Sequence, residues 1–198
     1  TPEMVEIHKL IGQVAATDTA VLIHGEAGTG KELIARAIHY NSDRRDRPFV
    51  AVNCAALPDD LLEVDLFGHA GRGGKDYRDE GRFEQADKGT IFLDEIDRAD
   101  LPSQGRILSV LENGWFERPG SRNRVSVDVR VVAATGRSLV SEMKEGRFRV
   151  DLFYRLKVVS LYIPPLRERR DDIPYLAEHF LERAQLKRQR DEEGLSED

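Results

Sequence analysis

The segment Gly25-Glu26-Ala27-Gly28-Thr29-Gly30-Lys31 directly follows the apolar run Ala20–His24 and points to the fold of the chain. Its spacing, Gly-x₄-Gly-Lys at the start of a helical pattern, is typical of a loop whose backbone N–H groups wrap a phosphate chain. Gly28 and Gly30 permit close backbone approaches that a Cβ would prevent, and Lys31 is predicted to reach the β- and γ-phosphates. The stretch therefore predicts a nucleotide-binding strand–loop–helix unit.

Further strand-like runs alternate with helical patterns along the rest of the chain. These runs are Phe49–Asn53, Thr90–Leu93, Val129–Ala133 and Val158–Ile163. Five strands alternating with helices predict an α/β fold with a mostly parallel sheet that is covered on both faces. Such a sheet places its ligand site at the carboxyl ends of its strands.

Composition excludes several classes of protein. The chain has 198 residues, of which 40% are hydrophobic and 33% charged, as in ordinary globular domains. No apolar run approaches the roughly 18 residues of a membrane span, and no signal-peptide pattern opens the sequence. The net charge of −6 argues against a nucleic-acid clamp in this segment. Cys54 is the only cysteine, which fits a reducing cytoplasm, so we expect a cytoplasmic protein without membrane contact.

A second motif complements the phosphate loop. Thr90–Glu95 reads as an apolar strand that ends in paired acids. In P-loop ATPases the first such acid holds Mg²⁺ and the second polarises the attacking water, which assigns these roles to Asp94 and Glu95. Glu32 stands where Ser or Thr normally ligates the metal, so Mg²⁺ would depend more on water and on Asp94. The expected cofactors are ATP or ADP with Mg²⁺.

With these motifs and several others, the chain resembles the AAA+ ATPase domain of bacterial enhancer-binding proteins, the activators of sigma-54 RNA polymerase. The matching segments are GEAGTGKELIARAI (25–38), FVAVNCAAL (49–57), DLFGH (65–69), GRFEQADKGTIFLDEI (81–96), FRVDLFYRL (148–156) and PPLRERRDDI (164–173). The resemblance covers nearly the whole chain, and Glu32 after the lysine is usual in this family. It implies an AAA+ nucleotide-binding domain over residues 1–167 and an incomplete helical lid over residues 168–198.

The resemblance also implies roles for individual residues. Catalytic roles fall to Lys31, Asp94 and Glu95, together with Asn53 as a switch that holds Glu95 idle. Arg149 and Arg155 match arginine fingers that reach a neighbouring subunit's γ-phosphate, so the active form would be a ring, by resemblance a hexamer. The expected nucleotide contacts are Gly25, Glu26, Ala27, Gly28, Thr29, Gly30, Lys31 and Glu32.

Three departures from the family pattern bear on function. Residues 68–81 lack the GAFTGA motif that grips sigma-54, and Tyr77 is the only aromatic residue there, which argues against direct sigma-54 remodelling. Gly136 stands where a polar residue senses the γ-phosphate, so hydrolysis would be slow unless Thr135 substitutes. The lid with its second sensor arginine is incomplete, and no DNA-binding or receiver domain is visible.

Three functions follow as hypotheses. The first is a ring-forming Mg-dependent ATPase that couples hydrolysis to control of transcription. The second is a nucleotide-gated oligomerisation module of a DNA-binding regulator, with little or no hydrolysis. The third is a P-loop protein outside transcription, which leaves the FGH and GRFEQA segments unexplained. The expected partners are further copies of the chain, RNA polymerase holoenzyme or a sigma factor, and DNA through a domain absent from this chain.

The remaining segments carry weaker patterns. Gly68–Gly81 and Arg118–Arg124 are predicted to be loops because they are rich in glycine and charge. Asp171–Gln185 is predicted to form an amphipathic helix. The charged tail from Glu182 to Asp198 is expected either to fray or to belong to a domain that is cut short. The apolar side of that helix would carry Ile173, Leu176, Phe180 and Leu181.

Overall fold

The structure, a computed structural model, describes residues 1–70 and 78–194. The strands are β1 Val21–His24, β2 Phe49–Asn53, β3 His69–Ala70, β4 Arg78–Asp79, β5 Thr90–Asp94, β6 Trp115–Glu117, β7 Arg124–Ser126, β8 Arg130–Thr135 and β9 Val159–Tyr162. The helices are α1 Pro2–Ala15, α2 Lys31–Tyr40, α3 Asp59–Phe67, α4 Arg82–Gln85, α5 Leu101–Asn113, α6 Leu139–Lys144, α7 Val150–Leu156 and α8 Ile173–Gly194.

A five-stranded sheet in the order β2-β5-β8-β1-β9 forms the centre of the molecule. All of its neighbouring strands pair in parallel, so their carboxyl ends lie at one edge. The five strand-like runs of the sequence correspond to these strands, and the α/β prediction is confirmed. Because β8 lies between β1 and β5, the loops that follow β1 and β5 flank the end of β8.

Both faces of the sheet are buried, each in its own hydrophobic cluster. Leu22 of β1 packs with α3, α5 and α7 on one face, whereas Val21 and Ile23 pack with α1 and α2 on the other. This alternation is what a strand of period two produces when helices cover both sides. The strands are accordingly almost uniformly apolar, which made them visible in the sequence.

The two segments predicted to be loops are in part short antiparallel hairpins. The first pairs β3 with β4, and the second pairs β6 with β7, so that residues 118–123 form its tip. Strands of two or three residues are too short to show an alternating pattern, which explains why the sequence did not reveal them. Tyr77, the predicted loop aromatic, lies outside the described residues.

Helix α8 corrects the prediction for the C-terminal tail. It continues to Gly194 instead of ending near Gln185. The added turns consist mainly of Glu, Arg, Lys, Gln and Leu, all strong helix formers, so their charge does not end the helix. Phe180 and Leu181 on its apolar side are 61% and 64% exposed.

The domain boundary at residues 167 and 168 stays a prediction. No helix in the described ranges has the length and apolar character that a bilayer crossing requires.

Candidate nucleotide-binding site

The loop after β1 is held tightly at its first residue. The backbone N–H of Gly25 donates to the carbonyl of Thr135 at the end of β8, at 3.2 Å. A Cβ at position 25 would lie 2.8 Å from Thr29 Oγ1 and 3.0 Å from the carbonyl oxygen of Ile163. The glycine is therefore required because neighbouring chain segments come so close.

The loop leads directly into α2, which begins at Lys31. Gly28 and Gly30 have φ angles of +79° and +95°, which residues with a Cβ rarely adopt. The first N–H groups of a helix have no partner within the helix, and the helix dipole adds positive charge there. The chain thus presents backbone donors and a favourable field for an anion at this point.

Lys31 bends back over the loop. Its Nζ donates to the carbonyl oxygens of Gly25 and Glu26, at 3.1 and 3.0 Å, and the residue is buried. Thr29 Oγ1 donates to the same Glu26 carbonyl, at 2.8 Å. The ammonium group is therefore held inside the loop, where a phosphate chain would lie in the arrangement predicted from the sequence.

The paired acids lie at the same edge of the sheet. Asp94 ends β5, and its Oδ1 accepts a hydrogen bond from the backbone N–H of Glu95, at 3.0 Å. Glu95 has φ 51° and ψ 48°, in the left-handed region that residues other than glycine seldom occupy. Such strain costs about 1–3 kcal/mol and is concentrated at functional sites, where the surrounding structure maintains it. No local sequence pattern indicated this strained backbone.

The oxygen ligands at this edge suit a Mg²⁺ ion that is bound together with a nucleotide. In the described part of the chain, no group of three or more His, Cys, Asp or Glu side chains is placed to hold a metal. Mg²⁺ does not need such a group, because it commonly binds through one or two carboxylates together with phosphates and water. The half-buried carboxylate of Asp94 supplies an oxygen ligand of that kind.

Asn53 lies on the strand next to the one that carries the acids. It is the last residue of β2 and pairs in register with Asp94. Its Oδ1 accepts from the backbone N–H of Ala55, at 2.8 Å, so that this hydrogen bond and not one to Glu95 fixes its orientation. The switch role therefore stays a prediction.

Burial raises the pKa of the adjacent Cys54 thiol to about 12, which keeps it protonated and unreactive.

Gly136 lies directly beside the phosphate loop. A Cβ at this position would be 3.4 Å from the carbonyl oxygen of Gly25. The preceding Thr135 is fully buried, and its hydroxyl donates to Asp97 Oδ1 at 2.6 Å while accepting from the N–H of Arg137. Because that hydroxyl already has both partners, Thr135 does not offer a substitute sensor here.

The side-chain hydrogen bonds of Arg149 and Arg155 go to residues outside the loop and the acids. Both Asp151 carboxylate oxygens accept from Arg149, at 3.0 and 2.7 Å, and this ion pair raises the pKa of the guanidinium. Arg155 donates to the carbonyl oxygen of Leu111 in α5. The chain therefore does not bring the two predicted arginine fingers to its own phosphate loop.

Two acidic residues of the nucleotide-binding segment are engaged by arginines. Glu32 pairs with Arg36 one helical turn later, at 2.7 Å, on the exposed side of α2. Glu26 accepts from both terminal nitrogens of Arg167, at 2.7 and 2.6 Å, which holds the pKa of its carboxyl below the ordinary value. Their side chains are thus directed at cations, so any phosphate contact would come from their backbone.

One basic residue at the site was not identified from the sequence. Arg169, in the PPLRERRDDI segment, is buried and donates to the carbonyl oxygen of Thr29 in the phosphate loop, at 2.9 Å. The only sequence signal was the run of arginines between two prolines and a helix. That signal does not show which arginine turns inward.

The chain matches known proteins along nearly all of its length. The model of the family described as "Sigma-54 interaction domain" matches residues 1–162. The regulatory protein AtoC of Escherichia coli K12 is 52% identical over 194 residues, which are 96% of this chain and 42% of AtoC. The Nif-specific regulatory protein of Azotobacter vinelandii is 55% identical over 184 residues, 91% of this chain and 35% of that protein.

A solved structure agrees with these relatives. NtrX from Brucella abortus in complex with ATP is 40% identical and superposes with a TM-score of 0.87, over 93% of this chain and 40% of NtrX. The chain thus spans well under half the length of each of these three proteins.

Proposed function

The chain belongs to the family of sigma-54 interaction domains, and from this membership we propose that it is the ATP-binding, ring-forming AAA+ ATPase domain of a bacterial transcription regulator. The observation that carries the proposal is the arrangement at one sheet edge. There the phosphate loop with Lys31 and the acids Asp94 and Glu95 flank the end of β8. The NtrX structure with ATP supports the same nucleotide for this chain.

Each part of this edge has a task in phosphoryl transfer. The N–H groups at the start of α2 and the ammonium of Lys31 bind the phosphates, and Lys31 exchanges its loop carbonyl partners for phosphate oxygens. Asp94 would hold Mg²⁺, which neutralises charge on the phosphates. Glu95 orients the attacking water, and the strained backbone at this residue sets the position of its carboxylate.

The arginine fingers are proposed to act on a neighbouring subunit. Arg149 and Arg155 contact α7 and α5 and not the loop of their own chain, which favours a role across a subunit interface. Arg149 would leave Asp151 to reach the γ-phosphate, where a cation stabilises charge that develops in the transition state. The active form is then a ring, and by family resemblance a hexamer.

The proposed partners follow from the family, with one exception that the sequence itself suggests. The family description names sigma-54. By family resemblance the further proposed partners are RNA polymerase and DNA, the latter bound by another part of the protein. Because residues 68–81 lack GAFTGA, we propose that the polymerase contact does not use the standard grip on sigma-54. Because the proposed action is on transcription, we also propose a cytoplasmic location.

A nucleotide-gated oligomerisation module is the second candidate. It is favoured by Gly136, which adjoins the loop but has no side chain to position water or phosphate. On this alternative, ATP or ADP would set the assembly state while hydrolysis is slow or irrelevant. Because both candidates bind nucleotide, binding does not distinguish them, whereas a measurement of turnover does.

Mixing two inactive variants tests the ATPase proposal. Arg155→Ala removes the finger and leaves the acids, whereas Glu95→Gln removes the water-orienting carboxylate and leaves the fingers. Mixed rings contain interfaces where an intact finger meets an intact acid site, so mixing should restore part of the turnover. Rings that form and yet show no restored turnover would contradict action across the interface.

The matched control mixes Glu95→Gln with the variant Arg36→Lys. Arg36 pairs with Glu32 on the exposed side of α2 and has no proposed catalytic role. Arg36→Lys alone should retain the turnover of the unaltered chain, and mixing it with Glu95→Gln should only dilute that turnover.

A further inference from the structure

Two arginines of the segment between β9 and α8 contact the phosphate loop at different residues. Arg167 pairs with the Glu26 carboxylate, and both of these side chains are more than half exposed. Arg169 reaches the opposite end of the loop, where its Nη2 donates to the carbonyl oxygen of Thr29 at 2.9 Å. The buried contact and the exposed contact thus come from residues only two positions apart.

Arg169 is held in place from several sides. It is 8% exposed, its Nη1 lies 3.7 Å from an Asp172 carboxylate oxygen, and the same nitrogen contacts Met4 Sδ at 3.5 Å. Its Nε has no hydrogen-bond partner within the part of the chain that the structure describes. Burying a guanidinium with an unsatisfied N–H costs free energy. The rest of the fold must offset that cost to keep Arg169 in contact with the loop.

The contact between Arg169 and the Thr29 carbonyl also determines the direction of the next backbone N–H. A trans peptide is planar, and its C=O and N–H point in opposite directions. When the Thr29 carbonyl is fixed toward Arg169, the N–H of Gly30 must point away from Arg169. Gly30 is the N-cap of α2, so its N–H belongs to the donors that a phosphate chain would meet.

We propose that Arg169 is a positioning residue for the nucleotide: it fixes the Thr29–Gly30 peptide so that the Gly30 N–H faces the phosphate chain. The inference rests on the proposed function, because it concerns the same nucleotide. Arg169 acts through the peptide and does not itself touch the phosphates. Because it lies on the segment that leads into α8, it also links the loop to the start of that helix.

Nucleotide affinity tests the proposal, with ADP as the probe and calorimetry on the full chain as the readout. Arg169→Met keeps most of the buried stem and removes the donor. It should weaken ADP binding about tenfold, the scale on which losing a hydrogen bond from a charged donor acts. Arg169→Lys retains a donor and should recover part of the affinity. Arg170→Ala is the matched control, because the exposed Arg170 donates to the Arg167 carbonyl and not to the loop, and it should change the affinity less than about threefold.

A spectroscopic readout separates positioning from general loosening. The Gly30 amide resonance should move strongly when ADP is added to the unaltered chain and weakly in Arg169→Met, while the distant Gly146 amide moves in neither. If Arg169→Met does not fold, Arg169→Leu, which also lacks the donor, decides the question through the same resonance. Affinity within twofold of the unaltered chain in the folded variant that lacks the donor would overturn the inference.

The unaltered chain distinguishes failure of this inference from failure of the proposed function. If it binds ADP and Arg169→Met binds equally well, the positioning role is wrong and the proposed function stands. If the unaltered chain binds no more ADP than Lys31→Ala, the proposed function fails, and this inference fails with it.

Discussion

Replacing Gly136 by asparagine should raise the turnover of ATP. Position 136 follows β8 and adjoins the phosphate loop, and a Cβ there would lie 3.4 Å from the Gly25 carbonyl oxygen. The backbone at 136 is outside the left-handed region, so a side chain is tolerated without strain. An asparagine carboxamide would add a donor and an acceptor beside the nucleotide, where glycine offers neither.

The size of the effect is set by what one hydrogen-bond donor contributes at a reacting phosphate. A well-placed donor to developing charge is worth about 10²–10³ in kcat where the protein has been built around it. An asparagine introduced at position 136 has no supporting contacts, so we expect about tenfold, which corresponds to ~1.4 kcal/mol in the activation free energy. Gly136→Ala is the control: it should leave kcat unchanged and stabilise the fold by about 0.4–1 kcal/mol through the unfolded chain's entropy.

The assay is steady-state ATP hydrolysis, accompanied by a Kd for ADP and by urea unfolding for each variant. The expected pattern is a raised kcat for Gly136→Asn, with the ADP affinity and the midpoint of unfolding close to those of Gly136→Ala. An unchanged or lower kcat in a folded variant with normal ADP affinity would show that Gly136 does not weaken the sensor.

Three further predictions concern the supports of the site. Lys31→Ala should abolish measurable ADP binding, because the ammonium group inside the loop is lost; calorimetry checks this. Thr135→Val should lower the free energy of unfolding by about 1–3 kcal/mol, since it leaves the buried Asp97 carboxylate without its hydroxyl partner. Phe83→Ala should cost about 3–5 kcal/mol, because this fully buried ring stacks on Phe67 with centroids 5.3 Å apart; urea unfolding measures both losses.

Each of these has a clear contrary result. ADP binding by Lys31→Ala at the original affinity would remove the lysine from the nucleotide site. A stability loss under about 0.5 kcal/mol in either unfolding experiment would place that side chain among ordinary surface substitutions. Tyr154→Ala provides the surface reference for Phe83, since Tyr154 is 70% exposed.

The sequence predicted the sheet and the phosphate loop well because their signals are local. A buried parallel strand is a short apolar run, and Gly-x₄-Gly-Lys restricts backbone and charge within seven residues. The position of Asp94 and Glu95 at the same edge followed from the parallel arrangement, because such strands end together. The resemblance to the family then named the same residues, and the family assignment is confirmed.

The parts that the sequence did not predict depend on contacts between distant residues. Arg169 meets Thr29 across 140 positions, and nothing in the local pattern distinguishes it from the exposed Arg167. Likewise, Glu95 adopts a left-handed backbone that its own preference opposes, so no local pattern predicts it. Helix α8 is longer than predicted because most of its residues from 186 to 193 favour a helix despite their charge.

Turnover as a function of protein concentration tests whether nucleotide hydrolysis needs neighbouring subunits. Steady-state ATP hydrolysis would be measured over a wide range of concentrations of the full-length protein, with Lys31→Ala as the blank. We predict that turnover per subunit rises with concentration and reaches a plateau as rings fill. Turnover per subunit that is independent of concentration, or that never exceeds the blank although nucleotide binds tightly, would contradict this claim.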